Sequence, residues 1–257
     1  MITENKPVKT IQSVHRALDI LEFLVEKGDG QRLSSIADYC HLNKTTAFHL
    51  LKTLETRGYI EQSPDSQYYK TGGKMFELSL KAYQNVNLNI FCQPYMERLV
   101  DQFNESVGLY HYAKINGHTQ ALCTSYLDST LPVKVSFSLG KWTPLCCTAY
   151  GKMYLSCLTG DALTDAITND QCPSNLMPSL DKLEQQISLA RQNSYIIEYE
   201  EYEDGVVNIA VPITKYTGRI IASLCVALPV QRATKEHINA IVTKMKQMSK
   251  ELSAIPL

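Results

Sequence analysis

The sequence predicts an α+β protein: a small N-terminal unit of helices ending in a β-hairpin, then a larger unit whose antiparallel sheet is covered by helices. Three observations carry this. Residues 33–58, LSSIADYCHLNKTTAFHLLKTLETRG, read as two helices joined by a tight turn. Two β-prone stretches, residues 59–62 and 67–70, flank Ser-Pro-Asp-Ser immediately after them. Further on, strand patterns pair around Asn116-Gly117, a strong hairpin signal, and alternate with helical patterns.

From the N-terminus, Val14, Ala17, Leu18, Leu21, Leu24 and Val25 recur as one apolar stripe, predicting a first helix that lies over the pair. Ser34 reads as the N-cap of a helix over 35–40 that buries Ile36 and Ala37. Cys40-His41-Leu42 then forms the turn, and Asn43 caps the next helix. In that helix Ala47, Leu50, Leu51 and Leu54 make the core stripe. Thr45, Thr46, His49, Lys52 and Thr53 occupy the opposite side. Short hydroxyls and an imidazole there can reach base edges, and Lys52 can meet phosphate. A hairpin after such a helix is the wing of a winged helix-turn-helix. Residues 73–90 predict a linker helix with Met75, Leu78, Ser79 and Ala82 on one side, and a second helix follows over 90–106. Strands are predicted over 107–115, 118–126, 133–138, 195–199, 206–213 and 220–227, and helices over 149–158, 180–193 and 234–252.

Composition narrows the function classes. The 257 residues carry 25 Lys and Arg against 26 Asp and Glu, a net charge of −1, so any DNA footprint must be local. Lys44, Lys52 and Arg57 against Glu55 make a modest patch. Weak non-specific affinity is expected, and two copies per site would help. No run is long enough to span a membrane and residues 1–6 carry no signal-peptide pattern, so a cytoplasmic protein with no membrane partner is expected. Eight cysteines without a C-x-x-C pair fit reduced cytosolic thiols and no metal site.

Six segments resemble the IclR-type bacterial transcriptional regulators: IQSVHRALDIL (11–21), LSSIA followed by LNKTTAFHLLKTLETRGYI (42–60), YKTG (69–72), GKWTPLCCTAYGKMYLSCL (140–158), YIIEYEEYEDGV (195–206) and VPITKYTGRIIASLCVALP (211–229). They span almost the whole chain in order. The resemblance implies a winged helix-turn-helix domain over 8–72, a linker helix over 73–89, and a GAF/PAS-like effector-binding and oligomerisation domain over 90–257. It further implies double-stranded operator DNA as partner, a homodimer or dimer of dimers, and control by a small organic acid or aromatic metabolite. It adds Arg16, Ser34 and Tyr68 to Lys44, Thr45, Thr46, His49 and Lys52 as DNA contacts. The family often has Gly at His41, Arg at His49 and at Tyr68, and His at Cys146.

For the effector, Thr148 can cap a helix whose first free amides, from Ala149 and Tyr150, suit a carboxylate. The resemblance places carboxylate-binding backbone at those two positions, and Cys146 stands just before them. It puts Glu198, Asn208 and Cys225 on the other side, with Tyr110 and Leu139 as further candidates. One anion site opposite polar acceptors suggests a hydroxylated carboxylate, such as a sugar acid or a small keto or hydroxy acid, and no other cofactor. Glu198, Glu200, Glu201, Glu203 and Asp204 form an acidic run read as a solvated loop with one member turned inward. The expected function is repression of a catabolic operon, without enzymatic activity. Two alternatives compete. A redox sensor would use Cys146-Cys147, with a thiol pKa lowered by the following helix. An enzyme fused to a DNA-binding module would use Cys147 or Cys225 as nucleophile and His111 or His118 as base.

Overall fold

The first unit of the computed structural model is built on α1 (Gln12–Lys27), α2 (Leu33–Tyr39) and α3 (Lys44–Thr56). An antiparallel hairpin of β1 (Ile60–Gln62) and β2 (Tyr69–Thr71) follows, then α4 (Gly73–Gln84). The structure describes residues 10–84, 88–115, 117–215 and 217–254, and the chain divides into units Met1–Val86 and Asn87–Leu257. The core of the first unit joins Ile20, Leu21, Phe23 and Leu24 to Ile36, Leu51, Leu54, Ile60 and Tyr69. Of the stripe expected on α1, Leu21 and Leu24 are buried and Ala17 packs on the core, and the rest is corrected. Val14, Leu18 and Val25 are 52%, 49% and 56% exposed. Two apolar stripes overlap on this helix, and the one holding the larger Phe23, stacked on Tyr39 at 4.2 Å, turns inward.

Ser34 is not the N-cap of α2. Gln31 exchanges two 2.8 Å backbone hydrogen bonds with Tyr69, which keeps the chain extended through Arg32, so Arg32 holds the cap position and Ser34 lies in the first turn. Ile36 and Ala37 are buried as expected. His41 takes φ 52 in the turn, a left-handed conformation that glycine adopts more cheaply. Asn43 caps α3, its side chain accepting from the Thr46 N–H at 2.8 Å. On α4, Met75 packs on the core while Leu78 and Ser79 are exposed; the side chain of Ala82 lies outside what is described, as do residues 85–87 of the expected linker helix.

The second unit opens with α5 (Leu88–Phe103), β3 (Ser106–Ile115), β4 (His118–Leu127) and β5 (Trp142–Thr143). Three helices follow, α6 (Ala149–Ser156), α7 (Gly160–Thr168) and α8 (Leu180–Asn193), then β6 (Ile196–Tyr199), β7 (Val206–Thr214), β8 (Ile220–Pro229) and α9 (Lys235–Ser253). The strands form one antiparallel sheet in the order β5-β4-β3-β8-β7-β6. Alternation along the strands feeds two cores. Leu109, Val207, Ile209, Leu224 and Val226 pack with α5 and α9 on one face. Tyr110, Ala210 and Cys225 pack with α6 and α8 on the other. Because both faces are covered, β8 is apolar almost throughout. In the turn between β3 and β4, Gly117 takes φ 89, and Asn116 lies outside the described residues.

Three expectations here need correction. Residues 133–138 form no strand; Val133 is 68% exposed, and the two-residue β5 pairs with β4 instead. The helix expected over 90–106 is α5, which starts earlier and stops at Phe103, because Asn104 takes φ 51 and Ser106 opens β3. Helix α7 was not anticipated: it is short, and although Leu163, Ala166 and Ile167 pack against the core at helical spacing, none of its residues is fully buried.

His111 on β3 lies 3.3 Å from Asn89 Oδ1 on α5, and burial lowers its pKa to about 4. An unfolded imidazole titrates near about 6.5. Between those values the unfolded chain binds more protons, so stability rises with pH and is lost as pH falls from 6.5 towards 4. About 3 kcal/mol should disappear across that window. Comparing urea unfolding near pH 7 and near pH 4.5, His111→Gln should show a smaller pH dependence than the parent; identical dependence would refute the assignment.

Candidate DNA interface and effector pocket

On α3, Lys44, Thr45, His49 and Thr53 are exposed and Thr46 and Lys52 half-buried, opposite buried Ala47, Leu51 and Leu54. The expected polar face therefore exists. It carries details the sequence did not reveal. Lys52 Nζ is held by Glu55 at 2.7 Å and lies 3.4 Å from Gln62 Oε1, so it is not a free phosphate ligand. That ion pair raises its pKa. Thr53 spends its hydroxyl on the His49 carbonyl at 2.8 Å. Phe48, which sequence reasoning passed over, is 40% exposed beside His49, with ring centroids 5.8 Å apart. An apolar residue breaking an otherwise polar exposed face was the signal for it. Arg16 on α1 and Ser34 on α2 are half-buried; Tyr68 follows the Ser-Pro-Asp-Ser loop at the base of the wing.

In the second unit, α6 starts as expected. Thr148 caps it, accepting from the Gly151 N–H at 3.2 Å and donating to the Pro144 carbonyl at 2.8 Å. The Asp170 carboxylate takes the preceding amides, Leu145 N–H at 2.9 Å and Cys146 N–H at 2.8 Å. Among the described residues no acceptor meets the Ala149 and Tyr150 amides. A cavity of about 40 Å³ lies beside this turn, walled by Tyr110, Phe137, Lys141, Thr143, Tyr150 and Asn208 among others. The Tyr110 and Tyr150 rings stack face to face, with centroids 3.5 Å apart.

Of the residues expected around an effector, Tyr110, Tyr150 and Asn208 line this cavity. Glu198, Cys225, Cys146, Ala149 and Leu139 do not. Leu139 is 64% exposed. Glu198 is fully buried and satisfied by the protein: one oxygen accepts from Asn208 Nδ2 at 2.8 Å, the other from the Glu201 and Tyr202 amides. Burial still raises its pKa. Asn208 Oδ1 in turn faces the Cys225 thiol at 3.7 Å. The acidic run thus turns two members inward, Glu198 and Glu201, the latter bonded to the wholly buried Lys152. Lys141, Thr143, Phe137 and Tyr202 were missed; Phe137 lay in the stretch read as a strand, and for the others only the density of aromatic and hydroxyl side chains was a signal. Lys141 Nζ stands 5.8 Å from the Tyr202 ring centroid.

The thiols do not behave as a redox sensor at a helix start requires. Burial raises the Cys146 and Cys147 pKa values, and Asp170 adds to the effect at both. Burial raises the Cys225 pKa as well. The histidines considered as bases are engaged elsewhere: His111 with Asn89, and His118 Nδ1 with the Asn169 carbonyl at 2.7 Å.

A helix-turn-helix with a wing, followed by a six-stranded sheet enclosing a small aromatic cavity, defines a DNA-binding transcriptional regulator. The family described as "Bacterial transcriptional regulator IclR C-terminal" matches residues 80–254, and "IclR helix-turn-helix domain" matches residues 13–64. The chain belongs to the IclR family of bacterial transcriptional regulators, and it is a regulator rather than an enzyme. The HTH-type transcriptional regulator XynR of Escherichia coli K12 is 26% identical over 247 residues, covering 95% of this chain and 96% of its own. The HTH-type transcriptional repressor AllR of Salmonella typhimurium is 24% identical over 249 residues, covering 95% and 90%. In fold, the chain matches an IclR homolog of Microbacterium hydrocarbonoxydans complexed with 4-hydroxybenzoate, with a TM-score of 0.77 at 20% identity over 95% of this chain and 100% of that one.

Proposed function

We propose that the chain represses a catabolic operon, binding double-stranded operator DNA as a homodimer or dimer of dimers, and that a small organic acid controls it. The observation that carries the effector reading is the cavity beside the start of α6, where Tyr150, whose amide meets no acceptor among the described residues, and the cation of Lys141 stand among aromatic walls. Helix-start amides and an ammonium suit a carboxylate. The aromatic walls and Asn208 suit the rest of a compact hydroxylated acid. The fold relative that holds 4-hydroxybenzoate, a hydroxylated aromatic carboxylate, supports this class. At about 40 Å³ the space takes only a few waters. Entry of such an acid requires the stacked tyrosines to part or the irregular segment carrying Phe137 and Lys141 to move. The ligand can shift DNA binding only by its differential affinity for the two resulting arrangements.

An electrophoretic shift assay on the chain's own promoter, with a panel of sugar acids, keto and hydroxy acids and hydroxybenzoates, tests both halves. At least one acid should change operator affinity by tenfold or so, a coupling of about 1.4 kcal/mol. Response to neutral compounds alone would reject the acid. In the same assay His49→Ala should cost about 1–3 kcal/mol on the preferred duplex and little on a scrambled one. An equal loss on both would remove His49 from base reading.

A further inference from the structure

We propose that Arg32 and Tyr68 act together as a grip on the DNA phosphate backbone at the base of the wing; this rests on the DNA-binding reading above. The pairing starts in the backbone. Gln31 and Tyr69 exchange hydrogen bonds of 2.8 Å in both directions, which brings the next residues along each strand, Arg32 and Tyr68, side by side. Arg32 Nε donates to the Tyr68 hydroxyl at 3.2 Å, and the guanidinium carbon lies 5.3 Å from the ring centroid. The opposite side of this strand pair is fitted to the ring: a Cβ on Gly30 would come within 2.9 Å of Tyr68 Cβ. Glycine at position 30 therefore leaves the space that the tyrosine occupies.

Arg32 lacks a counter-charge, as do Lys44 and Arg57 among the described residues, whereas four lysines of this unit are neutralised, Lys52 by Glu55, Lys70 by Glu61, and Lys74 and Lys81 by Glu77. Arg32 is exposed, and among the described residues no carboxylate meets it. Its contacts use Nε and one face, so the two terminal nitrogens keep their donors. Its partner Tyr68 also lines a concave surface with Gly30, Ser63, Ser66 and Lys70, where the serine hydroxyls supply further donors. A planar fork, ordered beforehand by stacking and one hydrogen bond, matches a phosphate better than a free lysine does.

The test uses the full chain with two duplexes, one it enriches from a random-sequence library and one scrambled. Affinity is measured from about 50 to 200 mM salt. Arg32→Met should reduce the slope of log affinity against log salt by about one on both duplexes. Arg32→Lys should restore the slope while binding more weakly than the parent. Tyr68→Phe, which keeps the ring and drops the acceptor, should retain the slope and lose less affinity than Arg32→Met. Thermal unfolding without DNA is followed in parallel. An unchanged slope in Arg32→Met, with a lowered melting temperature, would make the pair a staple of the wing and overturn the proposal. A loss confined to the enriched duplex would assign Arg32 to a base edge and overturn it equally. If the parent chain binds neither duplex, the DNA-binding reading itself fails, an outcome distinct from both.

Discussion

Glu201→Ala should cost about 3–5 kcal/mol of unfolding free energy, and Lys152→Met markedly less, although both break the same ion pair. Lys152 is fully buried in α6 with its ammonium 2.6 Å from Glu201 Oε2, and Glu201 is 13% exposed. Glu201 has other partners: Gln186 Nε2 donates to it at 2.7 Å and Lys182 Nζ lies at 3.4 Å. Burial alone would push its pKa up, but the contacts with Lys152, Gln186 and Lys182 outweigh this and hold it below its ordinary value. Deleting the carboxylate strands an ammonium that no solvent reaches. Replacing the lysine by methionine keeps an apolar chain of similar length in the core and leaves the carboxylate with Gln186, Lys182 and some water. The order of the two losses, read from urea unfolding at neutral pH, is the decisive quantity. Equal losses, or a larger one for Lys152→Met, would show that the buried pair does not set the stability of this region.

That ion pair also shows where sequence reading stops. A lysine is read as surface by its type, and only a partner 49 residues away makes Lys152 a core residue. Features governed by neighbouring residues were legible. Asn43 and Thr148 act as caps because a short side chain needs only the amide three residues on. The core stripe of α3 follows from helical spacing, and the wing from a Pro-Asp turn. On α1 the same spacing argument was half right: Leu21 and Leu24 are buried, but Val14, Leu18 and Val25 are exposed and Ile20 and Phe23 take their place, a choice only packing makes. The cavity was half legible. The family resemblance put Asn208, Cys225 and Tyr110 around one site, but it cannot say which polar groups the protein satisfies by itself. Glu198 and Asn208 bind each other, and the loop amides at Glu201 and Tyr202 complete the Glu198 carboxylate. Phe137 lies in a segment whose apparent strand pattern finds no partner strand.

Gly151→Ala should destabilise the second unit by about 3 kcal/mol or more, against the usual gain of up to about 1 kcal/mol for such a change within a helix. The added methyl would sit inside contact distance of Leu145 backbone atoms and 2.6 Å from Thr148 Oγ1. Neither neighbour can yield cheaply. The Leu145 and Cys146 amides are pinned to Asp170, and the Thr148 hydroxyl is committed as cap to the Gly151 amide and as donor to Pro144. Making room means lifting the 144–148 turn off α6, which surrenders the cap and shifts Tyr150 in the cavity wall. The loss of stability should therefore be accompanied by loss of the acid response in the DNA-shift assay. Gly73→Ala is the matched control: it opens α4 with nothing within 4 Å of the added methyl, so it should be neutral or slightly stabilising. If Gly151→Ala unfolds at the same urea concentration as the parent, the turn is more compliant than its hydrogen bonds imply. The α6 amides would then not be a fixed site for an anion.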